Sequence, residues 1–385
     1  MATANPWGAS AAAGGRLLGG PTGGTVEGTG LVVVGLGAVG SSLVSGVLAA
    51  REHLVHPFGS LVEGGGAGRA GGFFALRDLA PLAGLGDLSL GAFELREDDA
   101  YRATVRAGVL DRSLVDELRP QLRAVRAMVG GRQAPTRRHL SDALAEDLRG
   151  FLAHHRCARG VVVCTLPGAP PPEGEPGFTA EEVWSALEKG ADWVTPGLVY
   201  AAAAAQAGFA FIGAGRDAAL CSPGISALFA ERNLPIAGTG LLGPDATLRE
   251  ALSQALAAEG LHLTGSASLS TRAEERGART WGGADRTQEI GRAEAWAGGA
   301  LELSIELRGQ VALHLAARAL DAALLIELAI RAGRSGAQDW MDALFAAPLG
   351  SGTPREAAAA TLAERRARLR AELPALAERA SREAA

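Results

Sequence analysis

The pattern in this chain most able to do chemistry is Gly35-x-Gly37-x-x-Gly40. The first glycine permits a tight turn, the second lets backbone approach a pyrophosphate, and the third lets a helix pack closely on a strand. Ala38, Val39, Gly40 and Ser41 then fall at a helix N-terminus, where free N–H groups and a partial positive charge attract phosphate. A dinucleotide should lie with its pyrophosphate over Gly37 to Ser41. The ribose needs an acidic partner at the end of the next strand, and Glu94, after Leu90-Gly91-Ala92-Phe93, suits that place better than Glu52, which follows the helix. Other chemical groupings are sparse. Cys157, Cys164 and Cys221 lack metal-ligand spacing, and His154-His155 lacks nearby acidic or thiol partners in metal-ligand spacing, so no metal site is expected.

The elements that must position this turn are readable. Leu31 to Val34 is a buried-strand run and Ser41 to Ala50 has helical spacing, so strand, glycine turn and helix follow in succession. A second buried strand at Val161 to Cys164 leads into Thr165 and Leu166, expected beside the cofactor. Thr179 to Glu188 and Pro196 to Ala207 read as helices and Phe209 to Ile212 as a strand. Val105 to Met128 has helical period, with Pro120 ending or kinking a helix. Strands are expected at Leu261 to Leu269 and Ala300 to Leu307 with a polar stretch between them, then helices at 312–331, 337–345 and 354–384. Alternating strands and helices imply a mainly parallel α/β sheet. Residues 1–28 read as a flexible tail and 64–72 as a loop.

Composition narrows the partners. A net charge of -5 over 385 residues gives no general attraction to nucleic acid or anionic lipid, and no segment has the unbroken apolar length of a membrane span. A small-molecule ligand and a cytoplasmic location with reduced thiols are expected. Lys189 is the only lysine, and arginine supplies the other 36 of the 37 basic residues. Arginine cannot deprotonate at working pH, so proton transfer by lysine is nearly excluded.

From Gly30-Leu31-Val32-Val33-Val34-Gly35-Leu36-Gly37 through Ala49-Ala50-Arg51-Glu52 the chain resembles the myo-inositol-1-phosphate synthase family. Phe58-Gly59-Ser60-Leu61, Ala107-Gly108-Val109-Leu110-Asp111, Thr195 to Tyr200, Arg232 to Gly238 and Arg286 to Ile290 continue the likeness in order, as does Gly352-Thr353-Pro354. The resemblance implies a Rossmann-like NAD-binding domain over 29–240 and 312–385, with an inserted α+β catalytic and oligomerisation domain over 241–311. It also implies NAD as cofactor and a homodimer or homotetramer. Family members convert glucose 6-phosphate to inositol phosphate by oxidation, enolisation, ring closure and re-reduction.

The chain departs from the family where lysines are expected. Leu242, Thr247, Gln288 and Glu364 occupy such positions, and Arg292 alone keeps a cation there. Arg216, Arg249, Arg286 and Arg292 fall near family site positions. Asp217 and Glu289 are the nearest candidate bases, so the expected catalytic set is Asp217, Glu289, Arg286 and Arg292. His314, on an apolar helix, reads more readily as a core histidine than as a base. The leading expectation is an NAD-dependent isomerase or oxidoreductase with an altered site, acting on a non-standard polyol or carbonyl compound rather than on glucose 6-phosphate. A non-catalytic NAD-binding oligomer and a synthase with arginines substituting for lysines are the alternatives.

Overall fold

A computed structural model describes residues 28–64, 75–96, 98–168, 179–271, 285–347, 349 and 360–383. The expected tail before Gly28 and most of the loop expected at 64–72 lie outside the described residues. Seven strands form one parallel sheet: β1 (Gly28–Val34), β2 (Leu88–Glu94), β3 (Ala127–Val129), β4 (Cys157–Cys164), β5 (Phe209–Gly213), β6 (Pro235–Ala237) and, at the edge, β11 (Gly336–Ala337). In space they run β3-β2-β1-β4-β5-β6-β11, so strand order reverses between β1 and β4, the switch point where doubly wound sheets bind ligands.

The run Leu31 to Val34 is apolar throughout because both of its faces are covered. Leu31 and Val33 join one core with α1 (Ala38–Arg51), α10 (Val311–Arg331) and α11 (Leu362–Glu383). Val32 and Val34 join a second with α5 (Arg137–His155), α6 (Ala180–Lys189), α7 (Pro196–Ala207) and α8 (Pro223–Ala230). Phe151 of α5 closes over two glycines of the sheet: a Cβ on Gly91 would stand 2.5 Å from its ring, and one on Gly30 2.9 Å.

Three expectations change here. The stretch around Pro120 is not one helix but α2 (Ala100–Ala107), α3 (Arg112–Glu117) and α4 (Arg119–Ala124), and Pro120 opens α4, where its missing N–H is harmless. The polar stretch expected between two strands is itself a strand, β9 (Asp285–Glu294), central in an antiparallel sheet with β8 (His262–Thr271) and β10 (Ala300–Gly309). The helix expected at 337–345 is replaced by β11, a 3-10 turn over Asp339–Leu344 and β12 (Phe345–Ala347), which pairs with β7 (Thr239–Leu241). α9 (Pro244–Ala258) packs on the face of β9 that carries Thr287, Glu289, Gly291 and Ala293.

Candidate functional site

β1 delivers the glycine turn to the carboxyl edge of the sheet. Gly35 adopts φ +88°, open to glycine at little cost, and a Cβ on Gly40 would lie 2.0 Å from the Gly35 carbonyl. Gly37 is different: a Cβ there would meet nothing within 4 Å, so its outer side is open. The first intrahelical bond of α1 is Ser41 N–H to Gly37 O at 2.9 Å, which leaves the amides of Ala38, Val39 and Gly40 without helical acceptors. Glu94 ends β2, and its Oε2 accepts the Leu36 N–H at 2.9 Å, holding the carboxylate against the turn. Glu52 caps the far end of α1, away from this edge. After β4, the Thr165 hydroxyl lies 2.7 Å from Gly35 O, and the Leu166 side chain would meet a Cβ on Gly35 at 3.1 Å. The residues expected at a cofactor are therefore brought together at the switch point.

The expected catalytic set is not. Asp217 accepts from Thr195 Oγ1 at 2.6 Å and from Ala219 N–H at 3.1 Å, so it ties the N-terminus of α7 to the turn after β5. Burial pushes its carboxyl up, and those two hydrogen bonds pull it back. Glu289 points from β9 toward α9, its side chain 2% exposed, and takes both arms of Arg249 at 3.1 and 3.2 Å. Arg286 and Arg292 project from the opposite face of the same strand and pair with Glu306 and Glu302 of β10. A strand's side chains alternate, so residues 286 and 292 cannot share a pocket with 289.

A different set converges where α9, β8 and α11 meet. A cavity of about 310 Å³ opens there, lined by Leu242, Ala246, Arg249, Glu250, Leu362 and Arg365 among others. Arg366 stands beside it, half-buried and without an ion pair or hydrogen bond among the described residues. Burial lowers the pKa of its guanidinium, and Arg318, Arg370 and Arg365 lower it further, with Glu250 opposing. Glu250 is itself engaged by Leu362 N–H at 3.2 Å and the Gln254 amide at 3.0 Å. His314, one helical turn before Arg318 on α10, has a buried Nε2 with no hydrogen-bond partner among the described residues. Its pKa is pushed down to about 4 by burial and by Arg318, against a smaller opposing effect of Asp245.

The lysine replacements fall into two kinds. Leu242 lines the cavity, whereas the Thr247 hydroxyl bonds back to Gly243 O and Gln288 reaches Ser304 on the outer sheet face. Glu364 does not reverse the charge of the pocket. Its Oε2 accepts from Thr361 N–H at 2.8 Å and Thr361 Oγ1 accepts from Glu364 N–H at 3.2 Å, a capping box at the start of α11. Sequence reasoning missed Arg365, Arg366 and Arg318 as a group because they come from α10 and α11, far apart in sequence. Their type was visible; their convergence was not.

Strand order and glycine turn define an α/β protein of the doubly wound, Rossmann-like class. A family model described as myo-inositol-1-phosphate synthase, an NAD-binding domain, matches residues 29–371, and the chain belongs to that family. It is 27% identical over 230 residues to inositol-3-phosphate synthase 1 of Bacteroides thetaiotaomicron, a match spanning 54% of this chain and only 53% of that protein. In fold it resembles the inositol-3-phosphate synthase of Caenorhabditis elegans (TM-score 0.76, 17% identity, 91% of this chain and 86% of that one). It also resembles a myo-inositol-1-phosphate synthase-related protein of Thermotoga maritima (TM-score 0.61, 17% identity, 84% and 93%). The crystal structure of Ari2 is similar too (TM-score 0.57, 19% identity, 91% and 99%). Among the described residues no helix is long and apolar enough to cross a membrane, and no group of three metal-ligating side chains forms.

Proposed function

We propose that the chain is an NAD-dependent isomerase or oxidoreductase acting on an anionic polyol or carbonyl compound, which arginines rather than lysines would hold. NAD fits the switch point: Gly37 leaves room for a pyrophosphate, the amides of Ala38, Val39 and Gly40 face it, and Glu94 is held where ribose hydroxyls would come. Bound NAD would supply hydride transfer. In this reading Glu289 orients Arg249, Asp217 braces the loop after β5, and Arg286 and Arg292 belong to the outer sheet face.

Arg366, without an ion pair among the described residues, carries the substrate class. A guanidinium half-removed from water among like charges is costly unless an anion answers it, and Arg249 and Arg365 line the adjoining cavity. Replacing the lysines therefore leaves the pocket cationic but without lysine as a proton carrier. The test is calorimetric titration of glucose 6-phosphate, inositol phosphate and their neutral parents into the NAD-loaded protein. The anions should bind and the neutral compounds should not. Arg366→Gln should lose about 10-fold to 100-fold in affinity, as expected for a charged hydrogen bond. Conversion of glucose 6-phosphate to inositol phosphate, followed by phosphorus NMR, should stay far below about 1 per second. Equal affinity for neutral and anionic sugars would reject the substrate class. Oxidation of some anionic polyol, read as NADH absorbance, separates an enzyme from a non-catalytic NAD-binding protein.

A further inference from the structure

We infer that Glu250 is the specificity-determining residue of the arginine pocket: its carboxylate reads ligand hydroxyls, so the site favours an anion that carries O–H groups beside its charge. This rests on the anionic substrate proposed above and assigns the hydroxyl-reading side of the same cavity.

The cavity has two unlike sides. Ala246, Glu250 and Ser253 follow one another at i, i+4 and i+7 on α9, with Arg249 beside them, so one helix face supplies most of the polar lining. Leu362 and Arg365 line it from α11. Glu250 is fixed there by one oxygen. Its Oε1 accepts from Leu362 N–H at 3.2 Å and from the Gln254 amide at 3.0 Å, which seats the carboxylate at the start of α11. Among the described residues Oε2 has no hydrogen-bond partner, and neither has the half-buried Ser253 hydroxyl.

The arginines do not answer Oε2. Arg249 gives Nε and Nη2 to Glu289 at 3.2 and 3.1 Å, and Arg365 gives Nη1 to the carbonyls of Asp342 and Phe345 at 3.2 and 3.3 Å. Arg249 Nη1 and Arg365 Nη2 are the donors left for an anion. An ionised carboxylate accepts and never donates. A ligand that fills about 310 Å³ and displaces water must therefore offer Oε2 a donor, or leave a charged acceptor without solvation. A bare oxyanion adds repulsion between like charges. Hydroxyls fit instead: an O–H donated to Oε2 makes a charge-assisted bond, and Ser253 can donate to or accept from a neighbouring hydroxyl. The anionic group then lies toward Arg249 and Arg365, and the hydroxyls toward Glu250 and Ser253. Without the Glu250 charge, the leucines of the lining would suit an alkyl chain as well.

Sorbitol 6-phosphate and hexyl phosphate are the probes, because they share a six-carbon chain and a phosphate and differ in hydroxyls. Both are titrated calorimetrically at pH 8 into NAD-loaded full-length protein. The unsubstituted protein should bind sorbitol 6-phosphate at least about tenfold more tightly, as expected for one charged hydrogen bond. Glu250→Gln keeps an acceptor for Leu362 N–H but loses the charge, so the preference should fall below about threefold, with hexyl phosphate binding more tightly than before. A purely structural Glu250 would weaken both ligands alike. Ser253→Ala, which leaves the carboxylate in place, should cut the preference by about twofold to tenfold without changing hexyl phosphate affinity, and it decides the matter even where Glu250→Gln fails to fold. Hexyl phosphate binding as tightly as sorbitol 6-phosphate to the unsubstituted protein, or a preference that survives both substitutions, would overturn this assignment alone. Binding of neither phosphate would overturn both it and the anionic substrate class.

Discussion

At the residue scale the chain uses arginine and buried carboxylates to brace its loops. Asp321, fully buried on α10, accepts from Ser60 Oγ at 2.5 Å, from Leu61 N–H at 2.9 Å, from Val62 N–H at 3.1 Å and from Arg318 at 3.0 Å. The Phe58-Gly59-Ser60-Leu61 block is thereby fixed to α10, and Arg318 is held on the same carboxylate. Burial pushes the Asp321 carboxyl up, with the Leu61 amide, Ser60 and Arg318 opposing. Asp321→Ala would strand two amides, a hydroxyl and a guanidinium. It should cost about 3–5 kcal/mol of unfolding free energy, measured by urea denaturation, as expected when one partner of a buried charged network is removed. A loss below about 1 kcal/mol would mean that water takes over these donors.

At the element scale, legibility followed periodicity. Pro196 to Ala207 and Val311 to Arg331 show helical spacing and matched helices within a residue, and the apolar run Leu31 to Val34 was unmistakable as a two-sided strand. β9 was hidden because its buried face carries Thr287, Glu289, Gly291 and Ala293, so alternation gave no apolar signal. The cofactor turn was legible because one contiguous motif specifies it. The arginine pocket was not, because α9, β8 and α11 each contribute only part of it. Glu364 shows the same limit. Aligned by type it opposes a lysine, yet locally it closes a capping box with Thr361. Glu364→Ala should cost about 0.5–1 kcal/mol of stability by thermal melting, as loss of a cap does. Anion affinity should change by less than about twofold, since the carboxylate is exposed and already occupied by α11. A large gain in anion affinity would mean that the Glu364 charge opposes anions in the pocket.

At the scale of the molecule, one sheet holds the cofactor turn and the other presents a broad outer face. Arg286, Gln288, Ile290 and Arg292 of β9 lie on that face, opposite Arg308, Glu306, Ser304 and Glu302 of β10, with Ala267 and Leu269 of β8 on the other side. Leu269 is 59% exposed, Ile290 is partly exposed, and charged pairs flank them. An apolar centre with a charged, polar rim is the anatomy of a protein–protein interface. The pairing is antiparallel and both signs of charge are present, so the face can meet a second copy of itself about a two-fold axis. We therefore expect a homodimer or homotetramer formed through β8, β9 and β10. Light scattering at micromolar concentration should give at least twice the 39.2 kDa chain mass. Leu269→Asp should shift the protein toward monomer while leaving NAD affinity within about twofold, because the glycine turn lies in the other sheet. Monomer alone in the unsubstituted protein would remove this interface. An oligomer unaffected by Leu269→Asp would place its contacts on another surface.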